Sequence, residues 1–185
     1  MTVGTINRAP VNPGCELMYY QPANSSSYLE APMGTSSLGH GMNFGNAFYM
    51  NFWANEGGKM VIEDFSTGGY NNTVLMMTSD ASGVYLRSKA GGIGYANISV
   101  TNAGWNMYTA VSTGSEVKAY KNGHLIATYN ASISNQDARV ILFANSYNGN
   151  GGSEGTRSYS VATNAKMALA RVGHGEPSQK FITKM

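Results

Sequence analysis

Trp105-Asn-Met-Tyr-Thr-Ala-Val-Ser-Thr-Gly-Ser-Glu-Val-Lys-Ala-Tyr-Lys-Asn-Gly-His-Leu-Ile-Ala-Thr-Tyr129 decides the fold class. Three runs with strand character are joined here by two turn signals. The second, Lys121-Asn122-Gly123-His124, is the strongest hairpin signal in the chain, because Asn-Gly tolerates the positive φ angles of a type I′ turn whose twist matches the flanking strands. Before it, Val117 and Ala119 alternate with Glu116, Lys118 and Tyr120; after it come Leu125, Ile126, Ala127 and Tyr129. A period of two sets one face against a core and the other toward water. Thr113-Gly114-Ser115 returns the strand that starts at Trp105. The stretch reads as an antiparallel meander and predicts an all-β, antiparallel protein.

Working outward, the same criteria predict strands over Glu16–Tyr20, Ser27–Ala31, Phe44–Asn55, Met60–Phe65, Thr73–Thr78, Val84–Lys89, Ile93–Val100, Val140–Ala144, Ser158–Thr163 and Lys166–Val172. In Phe44–Asn55 the alternation predicts that Phe48, Met50 and Phe52 point into the core, with Tyr49, Asn51 and Trp53 on the other face. Val140–Ala144 is continuously apolar, as a central strand is. Residues 1–16, punctuated by Pro10 and Pro13, read as an extended N-terminal arm, with one domain over 17–185. Residues 145–157 read as the longest irregular stretch, and Pro177 opens a short helical segment.

Composition agrees. Of 185 residues, 42% are hydrophobic, enough to fill a two-sheet core, and only 12% are charged, about half the usual share. The 23 Gly supply turns, and the 12 Tyr suit half-buried strand faces. Net charge is +2 and the basic residues are scattered, which argues against a nucleic-acid footprint. No run of eighteen apolar residues exists, so membrane insertion is not expected. Met1–Arg8 lacks the apolar stretch of a secretory signal, and Cys15 stands alone without an internal disulfide partner. Synthesis in a cytoplasm fits both.

The opening stretch also resembles the middle of concanavalin A-like, laminin G-like jelly-roll domains, through Trp105 and Tyr120-Lys-Asn-Gly-His-Leu125. Tyr28-Leu-Glu-Ala-Pro32 is similar to an early strand of that family. Phe44-Gly45 followed by Phe48–Trp53 is similar to its Phe-Gly and Phe-Trp strand, and Ala165–Val172 with Pro177-Ser178 and Phe181-Ile182 to its closing strand and helix. The four lie in the family's order over about residues 17–185. The resemblance implies a two-sheet antiparallel β-sandwich but no particular function, since that fold carries lectins, glycosidases, adhesion modules and virion parts.

Glycosidases of this fold align two carboxylates about 5 Å apart on alternating strand positions. The ten carboxylates here are Glu16, Glu30, Glu56, Glu63, Asp64, Asp80, Glu116, Asp137, Glu154 and Glu176, and no two are spaced that way. Glu63 and Asp64 point to opposite faces. Gly151-Gly-Ser-Glu-Gly155 matches a nucleophile elbow by letter, yet no helix pattern follows it. An enzyme is therefore not expected. No histidine spacing suits zinc. The family resemblance allows calcium, for which Asp64, Asp80 and Asp137 have the chemistry; no other cofactor is called for.

Binding remains. The loops 66–72 and 145–157 share Tyr, Asn and Gly, and sugars present apolar CH patches rimmed with hydroxyls that such residues suit. The candidate ligand-binding residues are Tyr70, Asn71, Asn72, Asn145, Tyr147, Asn148, Asn150 and Arg157. Two classes stay open: a non-catalytic carbohydrate-binding or adhesion module whose partner is a glycan or cell-surface polysaccharide, and a structural assembly protein without sugar binding. The closing segment resembles jelly rolls of bacteriophage tail proteins, which implies a virion, other virion proteins as partners, and a homo-oligomer. Far-ultraviolet circular dichroism is expected to be strand-dominated; helix approaching the globular average of about a third of residues would exclude this fold class.

Overall fold

The computed structural model describes residues 2–31, 44–55, 57–64, 73–89, 91–133, 138–147 and 158–184, with the side chains of 64, 146, 147, 158–160 and 184 excepted. The chain begins with β1 (Thr2–Val3), β2 (Ile6–Pro10), β3 (Met18–Pro22) and β4 (Tyr28–Ala31). It continues through β5 (Ala47–Asn55), β6 (Gly58–Asp64), β7 (Thr73–Ser79), β8 (Gly83–Ser88) and β9 (Ile93–Ser99). The meander is β10 (Asn106–Thr113), β11 (Glu116–Lys121) and β12 (His124–Asn130). After it come β13 (Ala138–Leu142), β14 (Ala144–Tyr147), β15 (Ser158–Val161), β16 (Lys166–His174) and one helix, α1 (Gln179–Lys184).

Two antiparallel sheets of seven strands result. The first runs β1-β4-β13-β6-β7-β8-β9 and the second β12-β11-β10-β5-β16-β3-β2, with β14-β15 as a separate ribbon. The two-sheet sandwich indicated by the sequence is present, and the predicted meander occupies one end of the second sheet. Asn122 has φ 49° and Gly123 φ 81°, both left-handed, as the Asn-Gly turn requires. Asn122 does more than turn the chain: its side-chain carbonyl accepts from Met107 N at 2.8 Å and its amide donates to Asn106 Oδ1 at 3.0 Å. The turn between β11 and β12 thereby also fastens the start of β10.

β5 sits between β10 and β16 near the middle of the second sheet. Phe48, Met50 and Phe52 are all 0% exposed and join one cluster with Met60, Ile62, Leu75, Met77 and Leu86 of the first sheet. Among the described residues, Met50, Met60, Met77 and Met167 belong to this interior as adaptable filler. The other face of β5 is not simply wet. Asn51 is buried and its amide donates to Thr109 Oγ1 at 2.8 Å, while Tyr49 and Val111 pack with Ile182 of α1.

The N-terminal stretch is extended, and it is paired. β1 joins β4 in the first sheet and β2 joins β3 in the second, so residues 2–10 bridge both layers. Gly4 makes the crossing at φ 69°, where a Cβ would lie 2.5 Å from Ser27 Oγ. Pro10 ends an edge strand, where a missing amide donor is tolerated. The stretch from 145 is not irregular at its ends, because β14 and β15 pair through Ala144 with Val161 and Tyr147 with Ser158.

Phe52→Ala, a cavity at a dry inner position, is expected to lower unfolding free energy by roughly 3–5 kcal/mol in chemical denaturation. Asn122→Ala forfeits a residue suited to left-handed backbone and two hydrogen bonds. A loss of about 2–3 kcal/mol is expected, and a loss below about 0.5 kcal/mol would show the turn to be passive.

Candidate functional site

Among the described residues the buried charged side chains, Glu30, Glu63, Arg87 and Arg139, all lie in the first sheet. At the end of β13 the chain must leave that sheet, and Phe143 makes the reversal with φ 72°. A left-handed L-residue costs roughly 1–2 kcal/mol. Phe143 is 0% exposed in the main core, its N donates to Lys59 O at 2.8 Å, and its carbonyl accepts from Ala162 N at 2.7 Å, which together fix the strained turn. β14 and β15 then fold back over the sheet they left: Ala144 and Val161 pack on Tyr28 and Ile141. Lys59 Nζ donates to Asn145 Oδ1 at 2.9 Å and pins the ribbon to β6. Burial holds the Lys59 ammonium below its ordinary pKa.

Beside this ribbon, Arg139 of β13 lies between two carboxylates. Its Nη1 meets Glu30 Oε1 of β4 at 2.7 Å and its Nη2 meets Glu63 Oε2 of β6 at 3.0 Å. The strands are adjacent in the sheet, and all three side chains are less than a tenth exposed. One guanidinium thus engages both carboxylates, and the arrangement serves as a buried clamp across three strands. Nothing in the sequence marked it, since Glu30 and Glu63 lie 109 and 76 positions from Arg139.

The predicted ligand residues fall as follows. Asn145 is described, and it is a buried anchor for the ribbon rather than a solvent-facing contact. Tyr147 lies on β14, opposite Ser158 of β15. Tyr70, Asn71, Asn72, Asn148, Asn150 and Arg157 lie outside the described residues, in segments 65–72 and 148–157. The first connects β6 to β7 and the second connects β14 to β15. Of the aspartates considered for calcium, Asp137 is outside the described residues, and Asp80 is engaged in a turn. Its Oδ1 accepts from Ser82 N at 2.8 Å, Ser82 Oγ at 2.7 Å and Gly83 N at 3.1 Å. Among the described residues no group of three His, Cys, Asp or Glu is arranged to hold a metal.

The edge where β8 meets β9 carries a further aromatic feature. Tyr85 and Tyr95 stack there, centroids 5.2 Å apart and planes at 30°, with Tyr95 59% exposed. The signal was present as tyrosines at alternating outward positions, but half-buried strand tyrosines are common and nothing local distinguishes a stacked pair.

No protein-family model matches the chain, and no curated protein is detectably similar to it in sequence. Solved structures do match. The chain shares its fold with the receptor-binding domains of botulinum neurotoxins. The domain of the C/D mosaic serotype aligns over 99% of this chain and 44% of its own, with TM-score 0.61 and 11% identity. The domain of type C, a toxin that depends on interaction with two ganglioside molecules to enter cells, gives TM-score 0.57 and 13% identity over the same shares. A serotype DC domain in complex with rat synaptotagmin II gives TM-score 0.57 and 12% identity, over 99% and 45%. The chain therefore spans a little under half the length of these domains, and at such identities the likeness is one of fold.

Removing one member of the clamp strands buried charge. Arg139→Met is expected to cost roughly 3–5 kcal/mol, and the triple change Glu30→Leu/Arg139→Met/Glu63→Leu to recover much of that. Equal stability of parent and Arg139→Met in denaturant titration would show that the clamp contributes nothing.

Proposed function

We propose that the chain is a non-catalytic binding module that takes a carbohydrate through the loops of the first sheet and its ribbon. The observation that carries this reading is the strained, pinned return of β14-β15 over the sheet's outer face, which fixes the two strands that segment 148–157 connects. A rigid scaffold with variable loops is how binding sites are commonly held. The carboxylates support a role without catalysis: Glu30 and Glu63 share Arg139, Asp80 caps a turn, and Glu116 and Glu176 both lie beside Lys118. The glycan class is supported by the Tyr, Asn and Gly of both loops, and by a fold neighbour that depends on gangliosides.

Within this reading Tyr70 and Tyr147 stack on an apolar sugar face, and Asn71, Asn72, Asn148, Asn150 and Arg157 supply hydrogen bonds. Asn145 holds the ribbon. We further propose a homo-oligomeric phage virion part as the setting, on the sequence resemblance alone; co-sedimentation with phage particles and mass in solution test that setting.

A panel of immobilised bacterial polysaccharides and defined oligosaccharides tests the module itself. Parent protein is expected to bind at least one class, and Tyr70→Ala or Tyr147→Ala to lose roughly 1–3 kcal/mol of that binding with melting nearly unchanged. A stable oligomer that retains no glycan favours the assembly role instead.

A further inference from the structure

The open edge of the first sheet is the strongest unassigned feature of the molecule. The β14-β15 ribbon packs on the β4-β13 side, whereas β9 is the opposite edge strand. Successive outward positions of β9 and the residues after it are Tyr95, Asn97, Ser99 and Thr101, a two-residue repeat that sets side chains about 6.6–6.8 Å apart. Tyr95, Asn97, Ser99 and Thr101 are all exposed. Tyr85 pairs with Asn97 across the two strands and stacks against Tyr95, so the Tyr95 ring is held by a neighbour while much of it stays open to solvent.

The turn that leads into β8 adds polar groups in fixed positions. Three hydrogen bonds converge on Asp80 Oδ1 and fix the carboxylate in the turn. Ser82 Oγ lies 3.0 Å from Tyr85 Oη, which ties the turn to the aromatic pair. Asn102 donates to the carbonyls of Asp80 and Gly83 at 2.7 and 2.8 Å and locks the turn against the chain leaving β9. Burial alone would raise the Asp80 pKa, but the Ser82, Tyr85 and Gly83 hydrogen bonds outweigh it and hold the carboxyl below its ordinary value. Gly83 has no room for a side chain: a Cβ would stand 2.8 Å from Ile98 O and 3.0 Å from Asn97 Oδ1. A depression of about 330 Å³ lined by Ala81, Ser82, Ser99, Val100 and Thr101 continues the row, and Lys121 of the meander donates to Thr101 O behind it.

Tyr95 shares its exposed strand face with Asn97, and the ordered Asp80–Ser82 turn reaches it through Tyr85. An exposed aromatic ring beside an amide and hydroxyls on rigid backbone matches the chemistry of a pyranose. The sugar's CH face lies on the ring, and vicinal hydroxyls donate to carboxylate and amide oxygens and accept from the amide. Little conformational freedom is lost on binding because the turn and the stacked pair are already ordered. A flat apolar partner would desolvate the Asp80 carboxylate and the Asn97 amide without replacing their water, and a nucleic acid would meet a carboxylate in place of cations.

We propose that Tyr95, Asn97 and Asp80, supported by Tyr85 and Ser82, form a carbohydrate subsite on the β8-β9 edge, with a pyranose stacked on Tyr95. This rests on the carbohydrate-binding reading of the chain but not on segments 65–72 and 148–157. The test uses oligosaccharides terminating in glucose, galactose or N-acetylhexosamine, together with bacterial polysaccharides, titrated against parent, Tyr95→Ala, Tyr95→Phe, Asn97→Ala and, as a distant exposed aromatic, Tyr20→Ala. Melting curves for each accompany the titrations. Tyr95→Ala and Asn97→Ala are each expected to weaken the best-bound sugar roughly ten-fold or more with unchanged melting, while Tyr95→Phe and Tyr20→Ala bind like parent. Should Tyr95→Ala alter melting, Asn97→Ala carries the same test from a side chain at the surface. Parent-like binding by both variants overturns this subsite and leaves the binding module standing. Failure of the parent to bind any sugar, including the case where it binds only a protein along β9, overturns both.

Discussion

Everything in this sandwich depends on strands having two unlike faces held at a period of two. β5 shows the constraint in its purest form: three large side chains at alternate positions are fully dry, and a slip of one residue would turn all three outward. Strong burial of that row fixes the register of β10 and β16 on either side, and through them the second sheet. The first sheet is held by the complementary row that meets it. Each sheet then has an outer face to cover, and the two solve that differently. The second lays α1 over Tyr49, Val111 and Tyr120, while the first folds a ribbon of its own chain back across Tyr28 and Ile141.

What could be read from the sequence follows from the range over which each signal acts. The Asn122-Gly123 turn, the meander and the inward set Phe48, Met50 and Phe52 are local patterns, and the structure has them. Boundaries shifted by a few residues, as at Phe44, which precedes β5. The clamp of Glu30, Arg139 and Glu63 was invisible because strands far apart in sequence create it. Asn145 looked like a loop residue because its neighbours are Ser, Tyr, Asn and Gly, a composition shared by true loops and by short ribbons. The ribbon itself depends on Phe143 accepting a left-handed conformation, a choice made by tertiary burial against the residue's intrinsic preference.

The distribution of charge explains why the surfaces differ in what they offer. Where carboxylates are buried they meet a guanidinium; where Asp80 is exposed it is ordered by its own turn. Among the described residues, the exposed large apolar side chains outside the first sheet are Tyr20 and Leu169 on the paired strands β3 and β16, Leu125 on β12 and Phe181 on α1.

The first ten residues have a consequence beyond topology. Because β1 covers β4 in one layer and β2 covers β3 in the other, this single segment is the seal on two sheets at once. A cut or a pull that frees it uncovers two rows of unpaired backbone donors and acceptors side by side, the template on which extended chains stack into aggregates. Solubility of the whole particle is thus tied to a short, proline-ended strip that contributes little to the core.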